Sequence, residues 1–273
     1  MKPSADLVAK FGLDLEAEVR KLICEGNWCQ LLDVSARFRS YSSQNIMLLF
    51  SQACSRGFSP TLVTGYRGWQ RLGRQVRKGE KALYILAPRV KKVCFEADGA
   101  EGMASEVLTG FRLVCVFDLC QTTGDDLAVP PEPKLLESES VSIGEVIARL
   151  GAFLELRGFT HCFEPLDSVN GFTDFNRRIV KVRSDVSSLQ RLKTLLHETA
   201  HVVMHSAGHL SRVRAELEAE SSAYVVCRAL GFDSSSYSFP YVARWSQGNS
   251  ELVGEVARSV HVCAWEILEF LEG

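Results

Sequence analysis

At 273 residues the chain has room for about two ordinary domains, and 46% hydrophobic against 23% charged residues excludes a disordered or fibrous class. The net charge of -2 is near neutral only in sum. Ten basic residues fall between Arg56 and Lys92 with Glu80 the sole acidic one, leaving 21 basic and 32 acidic residues elsewhere, and a field segregated in this way invites a polyanion.

In chain order, Leu7 to Leu32 and Ser42 to Ala53 have helical apolar spacing, whereas Lys81 to Val90 and Phe111 to Asp118 have the aliphatic and aromatic content of strands. Pro130, Pro131 and Pro133 then interrupt both kinds of element and mark a linker over residues 129–139. Beyond it, a helix is predicted over Val141 to Arg157, ending near Gly158, and a short strand over Arg178 to Arg183. Ser187 and Gln190 stand in capping-box register before an apolar stripe through Leu192, Leu195, Leu196, Ala200, Val203 and Met204. Further helices follow from Val213 to Leu230, closed at Gly231, and from about Glu251 to Leu271. The expected fold class is α+β in two domains, residues 1–128 and 140–273. Nine cysteines without a Cys-x-x-Cys pair point to reduced thiols. With no run near the ~18 apolar residues of a membrane span and no apolar leader, a cytoplasmic location away from membranes is expected.

The capped helix carries His197-Glu198-Thr199-Ala200-His201. Residues four apart lie one turn above each other, so the two imidazoles can converge on one cation, as two ligands of tetrahedral Zn2+ must. Glu198 is then placed to take a proton from a water that the metal activates, the hydrolytic chemistry of zinc peptidases. Met204 and Ala207 exclude the metzincin pattern, which needs Gly and His there. A gluzincin takes its third ligand from a glutamate of a following helix, and of Glu216, Glu218 and Glu220 we expect Glu218, next to the small Ala219 that lets the helices approach. Glu216 and Glu220 share another face, with Glu220 a partner behind the ligands or a solvated charge. His205, roughly 12 Å from His197 along the helix axis, is too far to share the ion. Two imidazoles and a carboxylate favour Zn2+, although manganese or cobalt suits similar ligands.

Leu195 to His205, followed by Glu216 to Val226, resembles the zincin domain of ArdC-type antirestriction proteins, which is similar to the wider ImmA/IrrE metallopeptidase group. Tyr41 to Leu49, Gly65 to Ala82 and Val116 to Gly124 resemble the single-stranded DNA-binding domain of the same family. The resemblance implies a single-stranded DNA partner, an antirestriction role, and a zinc-dependent peptidase-like domain. Arg71, Arg74, Arg77, Lys78 and Lys81 would then track phosphates, with Gln75 beside them, while Tyr66 and Trp69 would stack on unpaired bases. Two alternatives stand beside this reading: a peptidase that cleaves a regulatory or host protein, and a DNA shield whose zinc is only structural.

Overall fold

The structure is a computed structural model that describes residues 27–94, 104–127, 142–167, 169–206, 211–232 and 250–273. It is mixed α+β, as expected, and divides into two units: Met1–Glu18 with Met47–Val129, and Val19–Ile46 with Pro130–Gly273. The linker expected over residues 129–139 lies outside the described residues. A single cut at residue 128 does not describe the chain, however. Helix α1 (Trp28–Arg37) packs on a C-terminal helix, because Trp28 Nε1 donates to Ser221 Oγ at 3.1 Å and Asp33 Oδ1 accepts from Tyr224 Oη at 2.8 Å and Arg228 Nε at 2.9 Å. Local periodicity shows that α1 has an apolar face but not which helix receives it. The helix predicted from Leu7 to Leu32 lies outside the described residues up to position 26, and its described part continues to Arg37.

In the first unit, β3 (Leu83–Cys94) and β4 (Ala104–Asp118) form a long antiparallel hairpin, with β1 (Val63–Thr64) added on the β4 side. A separate pair joins β2 (Arg74–Val76) to β5 (Thr122–Gly124). Helix α2 (Ser43–Cys54), through which the division between units runs, guards the start of β3: Gln52 Oε1 accepts from Tyr84 N and Gln52 Nε2 donates to Tyr84 O, both at 2.9 Å. The short helix α3 (Tyr66–Arg71), not foreseen from the sequence, seats Trp69 in the core, where its Nε1 donates to Phe117 O. It can do so because Gly68 passes so close to Thr64 that an added Cβ would lie 2.2 Å from the threonine hydroxyl. Buried Asp118 organises the hairpin's exit, its carboxylate accepting from Thr61 N at 2.7 Å and Cys120 N at 2.8 Å.

The second unit stacks helices on a small mixed sheet. Strand β8 (Ile179–Arg183) runs parallel to β6 (Thr160–Glu164) and antiparallel to β7 (Gly171–Asp174), giving the order β6-β8-β7. Of these only β8 was predicted. Helix α4 (Ile143–Leu156) begins at Ser142, whose side chain accepts from Glu145 N, and ends before Gly158 at φ +75°. Helix α5 (Ser188–Met204) begins at Ser187, which accepts from Gln190 N at 3.2 Å, while Gln190 Nε2 turns forward to Thr194 Oγ1 at 3.1 Å, so only half of the predicted box forms. Helix α6 (Arg212–Ala229) packs against α1, α5 and α7 (Ser250–Glu272), and every residue from Glu218 to Cys227 is buried. No described helix is long and apolar enough to cross a membrane.

Candidate metal centre

The α5 stripe of Leu192, Leu195, Leu196 and Ala200 is fully buried, which fixes the rotation of the helix and presents His197, Glu198 and His201 to a cleft of about 780 Å³. Strand β7 and the start of α6 complete the cleft walls with Phe172, Thr173, Arg212 and Glu216. The two imidazoles meet edge to face, with His197 Nε2 and His201 Nε2 3.1 Å apart. Two nitrogens bound at 2.0–2.1 Å to one tetrahedral ion stand about 3.3 Å apart, so the pair is already spaced for a shared cation.

The structure brings Glu216, and not the expected Glu218, to the two imidazoles. Its Oε2 lies 3.4 Å from His197 Nε2 and its Oε1 3.9 Å from His201 Nε2, and one donor atom from each of the three residues falls within 4.8 Å of the others. Glu218 lies two residues on, roughly 200° round the helix. It is buried with Arg214 Nε and His205 Nε2, each 3.1 Å from its carboxylate. Ala219 is buried, and the Glu216 and Glu220 face of the helix is the one that meets the cleft. Glu220 stands behind the imidazoles, 3.3 Å from His197 Nδ1 and 2.7 Å from Lys193 Nζ.

Electrostatics follow from this crowding. Burial alone would lower the His197 pKa, but the Glu216 and Glu220 carboxylates overcome it and raise it to about 9. Burial, reinforced by the charge on His197, depresses His201 to about 4. Glu198 is pushed upward by burial, against the opposing pull of His197 and of Thr173, whose Oγ1 donates to its Oε2 at 2.8 Å. A carboxyl with a raised pKa and one anchored oxygen is suited to take up and return a proton. Gly171 permits this placement, since a Cβ there would lie 2.6 Å from Thr194 Cγ2 and 3.3 Å from Glu198 Cγ. Neither Gly171 nor Thr173 was found from the sequence, because β7 carried too short a signal. The donor set of two imidazoles, a carboxylate and an adjacent buried acid fits a divalent cation.

The residues expected to hold DNA separate into two groups. Tyr66 is 44% exposed, and its hydroxyl accepts from Gln75 Nε2; Arg71, Lys78 and Lys81 are exposed. Trp69, by contrast, is 0% exposed and donates from Nε1 to Phe117 O at 2.9 Å, so it is a core residue and not a stacking platform. Arg74 is turned inward, its Nε 2.8 Å from Thr122 Oγ1 and one terminal nitrogen 3.1 Å from Gly124 O, tying β2 to β5. Arg77 is exposed and pairs with Glu80 at 2.6 Å. Exposed aromatics overlooked in the sequence lie on the hairpin. Tyr84 pairs with Cys115 and Phe111 with Pro88, which puts both rings on one face of the sheet, 38% and 50% exposed.

Comparison with known proteins agrees with this architecture. Residues 14–111 match the family described as the N-terminal domain of anti-restriction factor ArdC. An uncharacterised Bacillus anthracis protein is 26% identical over 274 residues, spanning 82% of this chain but 44% of that protein. The chain therefore covers less than half the length of that curated relative. Crystal structures of antirestriction ArdC from the R388 plasmid superpose over 85% of each chain, the metal-free form with TM-score 0.53 at 19% identity and the Mn(II)-bound form with TM-score 0.52 at 20%. Residues 14–111 thus match the ArdC N-terminal domain family, and the chain adopts the fold of the R388 ArdC structures over 85% of its length.

Proposed function

We propose that the chain is an antirestriction protein that binds DNA, single strands above all, and holds a divalent cation, Zn2+ by preference, on His197, His201 and Glu216. The convergence of those three donors beside Glu198 carries the metal reading. The Mn(II) in the R388 protein supports a divalent ion. When bound, the ion supplies a Lewis acid that makes water acidic near neutral pH. Glu198 would take up a proton on one carboxylate oxygen while Thr173 holds the other, and the cleft lies beside the edge strand β7. An intact buried acid facing an open cleft favours hydrolysis over a purely structural ion, whose fourth position is ordinarily closed by Cys or His.

The DNA reading rests on the Arg56–Lys92 charge excess, with Arg71, Lys78 and Lys81 available to phosphates and Tyr66, Tyr84 and Phe111 exposed for stacking. Protection of DNA against a restriction nuclease, measured for wild type and Glu198→Gln, tests the reading. Loss of protection with metal and DNA binding retained assigns the role to hydrolysis. Full protection by the variant assigns it to shielding, and no protection by wild type retires the antirestriction role.

A further inference from the structure

We propose that His205 and Glu218 are positioning residues for the metal centre, linked in a buried chain that fixes the ring of His201 for its ion. This inference rests on the metal reading above. His205 lies one turn beyond His201 at the C-cap of α5, with its side chain 8% exposed. Its Nδ1 is 2.8 Å from His201 Nδ1, and its Nε2 is 3.1 Å from Glu218 Oε2. The other oxygen of Glu218 accepts from Arg214 Nε at 3.1 Å, and Arg214 reaches on to Glu255 at 2.9 Å.

A cation held at His201 Nε2 would set the direction of each bond. A ring that binds through Nε2 carries its proton on Nδ1. His201 Nδ1–H therefore donates to His205 Nδ1, leaving the proton of His205 on Nε2, where it donates to Glu218. Every member of the chain is satisfied with one tautomer at each ring and a carboxylate at the end. His197 has the shorter version of the same support, with Glu220 directly at its Nδ1 and Lys193 behind the carboxylate. Each imidazole is thereby backed by its own acid from α6, His197 directly and His201 through an intervening histidine. Outer partners of this kind orient the ring and raise its basicity.

The competing role is a buried polar clasp that merely joins α5 to α6. The test is Zn2+ affinity of the metal-free full chain, measured by competition with a chromophoric chelator, for wild type, His205→Phe, Glu218→Gln and the double variant. Circular dichroism and melting of the metal-free proteins report folding separately. Each single variant is expected to weaken Zn2+ binding by roughly 10–100-fold while remaining folded. The double variant should lie within about threefold of His205→Phe, because both substitutions cut one chain. Should Glu218→Gln fail to fold, His205→Phe decides the matter, since it leaves the Arg214–Glu218 pair in place. A folded His205→Phe protein that binds Zn2+ within about twofold of a competent wild type overturns the positioning role alone. A wild-type chain that takes up no Zn2+ overturns the metal reading and this inference with it.

Discussion

In the C-terminal unit the charged groups at the candidate site are buried and answered one by one: His197 by Glu216 and Glu220, Glu220 by Lys193, Glu218 by Arg214 and His205. Along the Arg56–Lys91 segment of the N-terminal unit, Arg71, Lys78 and Lys81 instead stand in solvent, and the charges that do have partners serve the domain itself. Buried pairs act through geometry, because their interaction is strong and a misplaced atom is costly. Exposed charges act through a summed field that salt screens. One unit should therefore respond sharply to single-atom changes and the other gradually.

The largest break in that contrast comes from Trp69. Trp69→Ala should destabilise the protein by about 3–5 kcal/mol, as truncation of a buried aromatic does, and a thermal melt reads it directly. A fully stable variant with weakened DNA binding would instead return Trp69 to a stacking role.

Removal of a ligand comes next. Structural zinc binds with roughly 10–16 kcal/mol over four ligands, so loss of one of three protein donors should weaken Zn2+ by about 3 kcal/mol or more. Glu216→Ala should therefore lower bound zinc, measured by elemental analysis after dialysis, more than Glu218→Ala, which removes only a positioning residue. The reverse order would restore Glu218 as the ligand.

Gly171→Ala probes the same precision without touching a ligand. The added Cβ would lie 2.6 Å from Thr194 Cγ2 and 2.9 Å from the Lys181 carbonyl oxygen, so both must shift, and it would crowd Glu198 at 3.3 Å. A cost of about 1–3 kcal/mol is expected, with stoichiometric zinc retained and any Glu198-dependent protection reduced. Unchanged melting and protection would show that β7 yields freely.

The pH dependence sharpens the electrostatic half of the comparison. His197 is raised from 6.5 to about 9, so its ion pairs stabilise the metal-free fold fully below pH 6.5, and that contribution fades as pH rises through 9. Zn2+ must displace that proton, so metal affinity should rise about tenfold per pH unit up to 9, with one proton released per ion at pH 7.5. Calorimetry in two buffers of different ionisation enthalpy counts the proton; a count of zero contradicts the assignment.

The smallest effect is expected on the exposed face. Lys78→Ala should flatten the dependence of log affinity on log salt by about 0.7 for single-stranded DNA, whatever its sequence. An unchanged slope would take Lys78 off the phosphate track.

The amino-acid sequence alone determined the elements whose signals are local. Ser187, Gly158 and Gly231 bound helices that periodicity had already outlined, and the four-residue spacing of His197 and His201 suffices to aim both rings at one point. The resemblance carried by the residues around them was equally legible, since it rests on order along the chain. What tertiary structure decided was rotation and partnership. Periodicity places Glu216 and Glu218 on different sides of α6, but which side meets His197 depends on how α6 seats between α1, α5 and α7, and a helix buried over Glu218 to Cys227 shows no polar stripe to reveal it. Trp69 had the same ambiguity. An aromatic among arginines suits a base or a core alike, and only the close passage of Gly68 over Thr64 turns it inward.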